Sequence, residues 1–202
     1  MPLWLAADPL ILASRSGIRQ SLLRAAGIEI EVRPAAIDER AVEAQSLLQS
    51  PAEIAAMLAR RKAAAVARSN PGRLVLGADQ TLGLGGERFA KPVDRAAARA
   101  QLRALSGRSH ELFSAVAFVE GPAVLFEHVA SARLTMRALT DQFLDRYLDA
   151  AADAATASVG AYQLEGLGAQ LFERLDGDYF TILGLPLLPV LDFLRQRGCL
   201  PR

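Results

Sequence analysis

Short apolar runs alternate along this chain with capped amphipathic stretches, and that alternation holds it to a mixed α/β fold. Leu10 to Ala13 is a short apolar strand. Ser14 and Ser16 follow as capping hydroxyls for a helix whose apolar side includes Ile18, Leu22 and Leu23 and which Gly27 ends. Ile28 to Val32 alternates apolar and acidic residues as an exposed strand does, and Pro34 closes it before a loop at Ile37-Asp38-Glu39-Arg40. Ser50-Pro51-Ala52-Glu53 reads as a capping box for a helix to about Arg68, with Ile54, Met57, Leu58 and the alanines inward. After the turn Asn70-Pro71-Gly72, the apolar strand Leu74 to Gly77 leads to Asp79 at its end.

The second half repeats the mixture. Thr81 to Leu84 turns through Gly85-Gly86, and Asp94 caps a helix that ends at Ser106-Gly107. Glu111 to Glu120 and Val124 to Arg137 are two strands around Gly121-Pro122, and Thr140 caps a helix over Asp141 to Asp149. Ala150 to Ala157 carries no decisive pattern. A glycine-rich segment, Gly160 to Gly168, precedes strands near Ala169 to Leu175 and Tyr179 to Leu183, and an amphipathic helix from about Leu187 to Arg197 comes after them. With no repeat and no long linker, residues 1–202 are expected to form one domain, with room for two lobes around a cleft.

Composition narrows the function. A net charge of +1 without a basic run predicts no nucleic-acid partner. The apolar run Ile182 to Leu191 is broken by Pro186 and Pro189, and the first residues carry Asp8 and no basic stretch, so neither membrane span nor secretory signal is expected. Cys199 is the single cysteine, which excludes an internal disulfide and fits a cytoplasmic location.

Of 23 basic residues, 21 are arginine and two are lysine, Lys62 and Lys91. A chain that otherwise chooses guanidinium has reason to keep an ammonium at Lys91, where a compact point charge can press against a phosphate oxygen. Ser14-Arg15-Ser16-Gly17-Ile18-Arg19 sets hydroxyls and a guanidinium at a helix N-terminus directly after a strand, an arrangement that binds anions. Asp38-Glu39 offers oxygen ligands of the kind Mg²⁺ takes, and Asp79 at a strand end lies where clefts open in α/β folds. No phosphate loop of the GKS/T type, no G-x-G-x-x-G, no H-E-x-x-H and no G-x-S-x-G occurs. His110 and His128 fall within strands, so base catalysis would rest on a carboxylate.

The ordered set L-A-S-x-S, I-D-E, G-A-D, K-P, L-S-G-R, G-A-Y-x-x-E-G and G-D-Y-F-x-x-x-G-L-P, from Leu10 to about Leu194, resembles the Maf family of nucleoside triphosphate pyrophosphatases. The resemblance implies a two-lobed mixed sheet flanked by helices around a central cleft, related to the inosine triphosphate pyrophosphatase fold. It also implies hydrolysis between the α and β phosphates to a nucleoside monophosphate and pyrophosphate, with a divalent cation, Mg²⁺ or Mn²⁺, as cofactor. By the same resemblance Asp79 is the proton acceptor or a metal ligand, Glu39 a metal or water-positioning carboxylate, and Ser14, Ser16, Arg19, Lys62 and Lys91 contact the phosphates. A homodimer is compatible with the C-terminal helix.

Three positions bear on the base. The usual S-P-R-R turn reads Ser16-Gly17-Ile18-Arg19, Gln80 follows Asp79, and Glu165 stands where many members carry glutamine. Gln80 and Glu165 resemble the branch acting on 7-methyl-GTP, although Ile18 replaces its aromatic residue. A carboxylate can accept both N1–H and the exocyclic amine of guanine, and suits a base made cationic by methylation. The readings left open are a dTTP/UTP pyrophosphatase of the same family and a non-catalytic nucleotide-binding regulator of cell division.

Overall fold

The computed structural model describes residues 2–202, and its strands form one mixed sheet in the order β2-β1-β3-β5-β6-β7, with β4 paired to β3. The chain divides into two units. One comprises residues up to Asp79 with Ser114–Ala130 and Gly184–Arg202, and the other comprises Gln80–Phe113 and Ser131–Leu183. The long strands β3 (Leu74–Leu84), β5 (Ser109–Glu120) and β6 (Ala123–Met136) contribute to both.

In the first unit β1 (Leu10–Leu12), buried throughout, pairs in parallel with β2 (Ile30–Val32) and with β3. Helix α1 (Gly17–Ala25) makes the crossover that a parallel pair requires. Helix α2 (Glu39–Ala44) replaces the expected loop because Asp38 caps it, accepting from the Ala41 amide at 3.1 Å. Helix α3 (Pro51–Ala67) then lies on one face of the sheet, where Ala55, Ala59, Ala63 and Ala67 meet Val75 of β3 and Ala115, Ala117 and Val119 of β5. Small residues on both sides bring the helix close. At Gly77 a Cβ would lie 2.1 Å from the Ala59 carbonyl oxygen, so only glycine permits this approach. On the opposite face Phe118 of β5 stacks on Phe193 of α8 (Leu187–Gln196) at 4.4 Å.

In the second unit β3 turns through Gly85-Gly86, both at positive φ, and pairs antiparallel with β4 (Glu87–Phe89). Helix α4 (Arg95–Leu105), capped by Asp94, faces α5 (Asp141–Ala151), capped by Thr140. Arg95 pairs with Asp149 at 2.8 Å, Arg99 with Asp145 at 2.7 Å, and Arg103 with Asp141. Both series step by four residues, one helical turn, which is the register of an antiparallel helix pair. Helix α6 (Ala154–Ala157) and a 3-10 turn at Val159–Ala161 lead through a second 3-10 turn, Leu167–Leu171, to β7 (Phe172–Asp176), antiparallel to β6.

Three expectations are corrected. Asp79 is not at a strand end, because β3 runs on for five residues beyond it. The segment Tyr179–Ile182 is a helical turn, α7, because the Asp178 carboxylate accepts from the Thr181 amide at 2.7 Å and nucleates it. Ser16 and Ser50 precede their helices without any side-chain capping bond, so the capping box at Ser50 does not form. Among the described residues no helix is long and apolar enough to cross a membrane.

Candidate active site

Strand alternation puts Val75, Gly77 and Asp79 on the face that α3 covers. Lys62 belongs to the buried stripe of α3, one residue from Ala63, so the close approach at Gly77 drives its ammonium against Asp79, Nζ to Oδ1 at 2.6 Å. Lys62 is 9% exposed and Asp79 7% exposed, so this is an interior ion pair. Glu39, at the start of α2, reaches the same ammonium at 2.9 Å from a half-exposed position. Burial pushes the Asp79 carboxyl above the usual carboxylate range, with Lys62 and Arg19 pulling against it.

Arg19 stands in the first turn of α1 and is buried. Its Nε donates to the Gly184 carbonyl at 2.8 Å, and its Nη1 donates to the Ala78 carbonyl at 2.9 Å and to the Ser14 hydroxyl at 3.1 Å. Those acceptors make burial of the charge tolerable and hold the fork beside the backbone of Ala78 and Asp79. Ser14, expected as a helix cap, is turned to Arg19 and also accepts from the Ser16 amide at 3.3 Å. Nη2 of Arg19 and Oδ2 of Asp79 have no hydrogen-bond partner among the described residues and are not sealed from solvent. The first unit therefore brings together Ser14, Arg19, Glu39, Lys62 and Asp79, with one acceptor and one guanidinium edge open. Ser16 and Ile18 are partly exposed at the start of α1.

The sequence-level pairing of Asp38 with Glu39 separates here. Asp38 is committed to capping α2, and Glu39 alone turns toward Lys62. The Gly184 and Ala78 carbonyls went unnoticed in the sequence because backbone acceptors leave no trace in residue identity. The G-L-P that contains Gly184 was the available signal.

The second unit holds the other expected residues. Gln80 points its amide into α7, with Nε2 donating to the Ile182 carbonyl at 3.0 Å and lying 3.3 Å from that of Thr181. Lys91 is exposed between Ala90 and the buried Pro92. Glu165 is exposed on a loop whose neck is the Gln163 carbonyl, which accepts from the amides of Gly166 at 3.2 Å and Gly168 at 3.1 Å. His110 is buried, with Nε2 2.7 Å from the Tyr162 hydroxyl and Nδ1 unpartnered, and burial pushes it down to about 4. It is a neutral core residue.

Known proteins resemble this chain in sequence and in fold. A HAM1 protein from Coxiella burnetii of solved structure aligns with a TM-score of 0.51 over 93% of this chain and 98% of its own, at 15% identity, which speaks to the fold alone. A nucleoside triphosphate pyrophosphatase from Rhodopseudomonas palustris (strain BisB18) is 59% identical over 200 residues, covering 99% of each chain. A 7-methyl-GTP pyrophosphatase from Brucella abortus biovar 1 is 52% identical, covering 95% of this chain and 97% of its own. The family model for Maf-like protein matches residues 9–197, and the chain belongs to the Maf-like family.

Proposed function

We propose that the protein is a nucleoside triphosphate pyrophosphatase that cleaves its substrate between the α and β phosphates, with 7-methyl-GTP as the preferred nucleotide. The observation that carries the reading is Asp79, a buried carboxylate with one oxygen held by Lys62 and the other without a hydrogen-bond partner, within the electrostatic reach of an Arg19 guanidinium that donates to the neighbouring Ala78 carbonyl. A carboxylate raised above its ordinary range is a better proton acceptor near neutrality than a solvated one. Asp79 Oδ2 takes a proton from water as the water oxygen bonds to the α-phosphorus. The bond from that phosphorus to the bridging oxygen breaks, and its electron pair leaves with pyrophosphate. Arg19 through Nη2, Lys91, Ser14 and Ser16 hold phosphate oxygens, and Lys62 fixes the orientation of the Asp79 carboxylate.

Glu39 and Asp79 converge on one ammonium, so the same pair can offer oxygens to a divalent ion. Among the described residues no three His, Cys, Asp or Glu side chains gather. Mg²⁺ or Mn²⁺ needs only one or two carboxylates, with substrate phosphates supplying further ligands. When bound, such an ion neutralises charge on the phosphate oxygens. For the base, Glu165 accepts from the guanine edge, and the 7-methyl-GTP pyrophosphatase relative supports that choice.

The test is pyrophosphate release with Mg²⁺ or Mn²⁺ from 7-methyl-GTP, GTP, dTTP, UTP, pseudouridine triphosphate and ATP. Turnover is expected to be fastest with 7-methyl-GTP and to fall at least ~100-fold in Asp79→Asn, the usual scale for a lost general base. Faster turnover of dTTP or UTP would displace the base assignment, and silence across the panel would displace the activity.

A further inference from the structure

Gln101 lies on α4, outside the motifs that mark the site, and both ends of its amide are used. Nε2 donates to the Ala90 carbonyl at 2.6 Å, and Oε1 accepts from the Gly160 amide at 3.2 Å. The first partner is the residue before Lys91. The second opens the turn that leads to Glu165.

Local contacts restrain the chain that follows each partner. Beyond Ala90, Lys91 is bracketed by Pro92, whose ring fixes its own φ, and by Asp94, which caps α4 itself. Beyond Gly160 the chain has little freedom. A Cβ at Gly160 would lie 2.6 Å from the Tyr162 ring and 2.8 Å from Leu82, and the Tyr162 hydroxyl is held by His110. The next residue, Gln163, closes the Glu165 loop on its carbonyl, and a Cβ at Gly168 would lie 2.3 Å from that oxygen. The Gly160 amide sits at the start of a 3-10 turn, where a backbone donor lacks a partner within the turn. Gln101 supplies one.

We propose that Gln101 is a positioning residue that fixes the spacing between Lys91 and Glu165, so that a nucleotide held by its phosphates is read at its base. The inference rests on the function proposed above. Leucine at 101 would keep the bulk of the side chain and lose both bonds. Glutamate would keep the acceptor for Gly160 and set a carboxylate against the Ala90 carbonyl.

The experiment measures kcat and KM for 7-methyl-GTP and UTP in wild type, Gln101→Leu, Gln101→Glu, Glu165→Gln and the Gln101→Leu/Glu165→Gln double variant. In Gln101→Leu the preference for 7-methyl-GTP is expected to fall about ten-fold, while the melting temperature drops by no more than about 5 °C, the scale of one exposed and one partly buried hydrogen bond. In Gln101→Glu the preference is retained while KM for both nucleotides rises about ten-fold, the mark of lost uniform binding. The double variant discriminates no worse than Glu165→Gln alone, because both changes remove one interaction. An active wild type whose preference is unchanged by Gln101→Leu, or losses that add in the double variant, would overturn the inference and leave the activity standing. A wild type that turns over neither nucleotide would overturn the activity and the inference with it. Should Gln101→Leu fail to fold, the glutamate variant decides: retained preference with raised KM supports the assignment, and unchanged KM refutes it.

Discussion

His110 and Asp79 are both buried, and burial acts on each through its charged form. For Asp79 the penalty raises the carboxyl and makes it a stronger base. For His110 it lowers the imidazole to about 4, with no carboxylate to oppose it. An unfolded chain binds a proton at this histidine near 6.5, whereas the folded one does so only near 4. Stability is therefore unaffected well above pH 6.5, falls as the pH drops from 6.5 to about 4, and is flat below. Between pH 7 and 4.5 this residue should cost about 2.5 kcal/mol, at 1.36 kcal/mol per unit. His110→Gln keeps a polar partner for Tyr162 and does not titrate. Urea unfolding at the two pH values should show that loss in wild type and its absence in the variant. At this scale the sequence was legible where residue type was scarce. The scarcity of lysine drew attention to Lys91, whereas Lys62, which proves to hold Asp79, was marked by the family resemblance. Gln101 was invisible, because its partners lie 11 and 59 residues away and glutamine on a helix is otherwise unremarked.

The elements were read best where a cap and a period agreed. Helices α4 and α5 each begin with a side-chain cap, Asp94 and Thr140, and both were located from sequence. Residues 179–182 were misread because a four-residue run of aromatic and β-branched residues fits strand and helical turn alike, and only the Asp178 to Thr181 bond separates them. Strand β3 was cut short because the polar triplet Asp79-Gln80-Thr81 masks its alternation. Helix α1 offers a test of the departure at position 17. Gly17 is the first residue of the helix, has no positive φ, and leaves open space where a Cβ would stand. Ser16 before it is extended, the conformation that a following proline requires. Gly17→Pro should therefore stabilise the fold by about 0.4–1 kcal/mol, through a less flexible unfolded chain. A denaturant midpoint below that of wild type would show that the turn needs glycine.

Across the whole molecule, the α/β class and the order of elements came from patterning, but the grouping of side chains did not. Glu39, Lys62 and Asp79 are spread over 40 residues, and the packing of an alanine-rich helix against a glycine unites them. Periodicity announces a buried stripe on such a helix without saying that one of its members is charged. The same enclosure has a consequence for covalent labelling. An amine-directed acylating reagent meets two side-chain targets in this protein, Lys62 and Lys91. Lys62 is buried with its ammonium engaged by two carboxylates, which shields it from the reagent, whereas Lys91 is exposed. Limiting reagent and then peptide mass spectrometry should place the acyl group on Lys91, and comparable labelling of Lys62 would contradict its enclosure. A protein that has replaced nearly all its ammonium groups with guanidinium thus offers a reporter or tether attachment at one defined side chain, without any engineered handle.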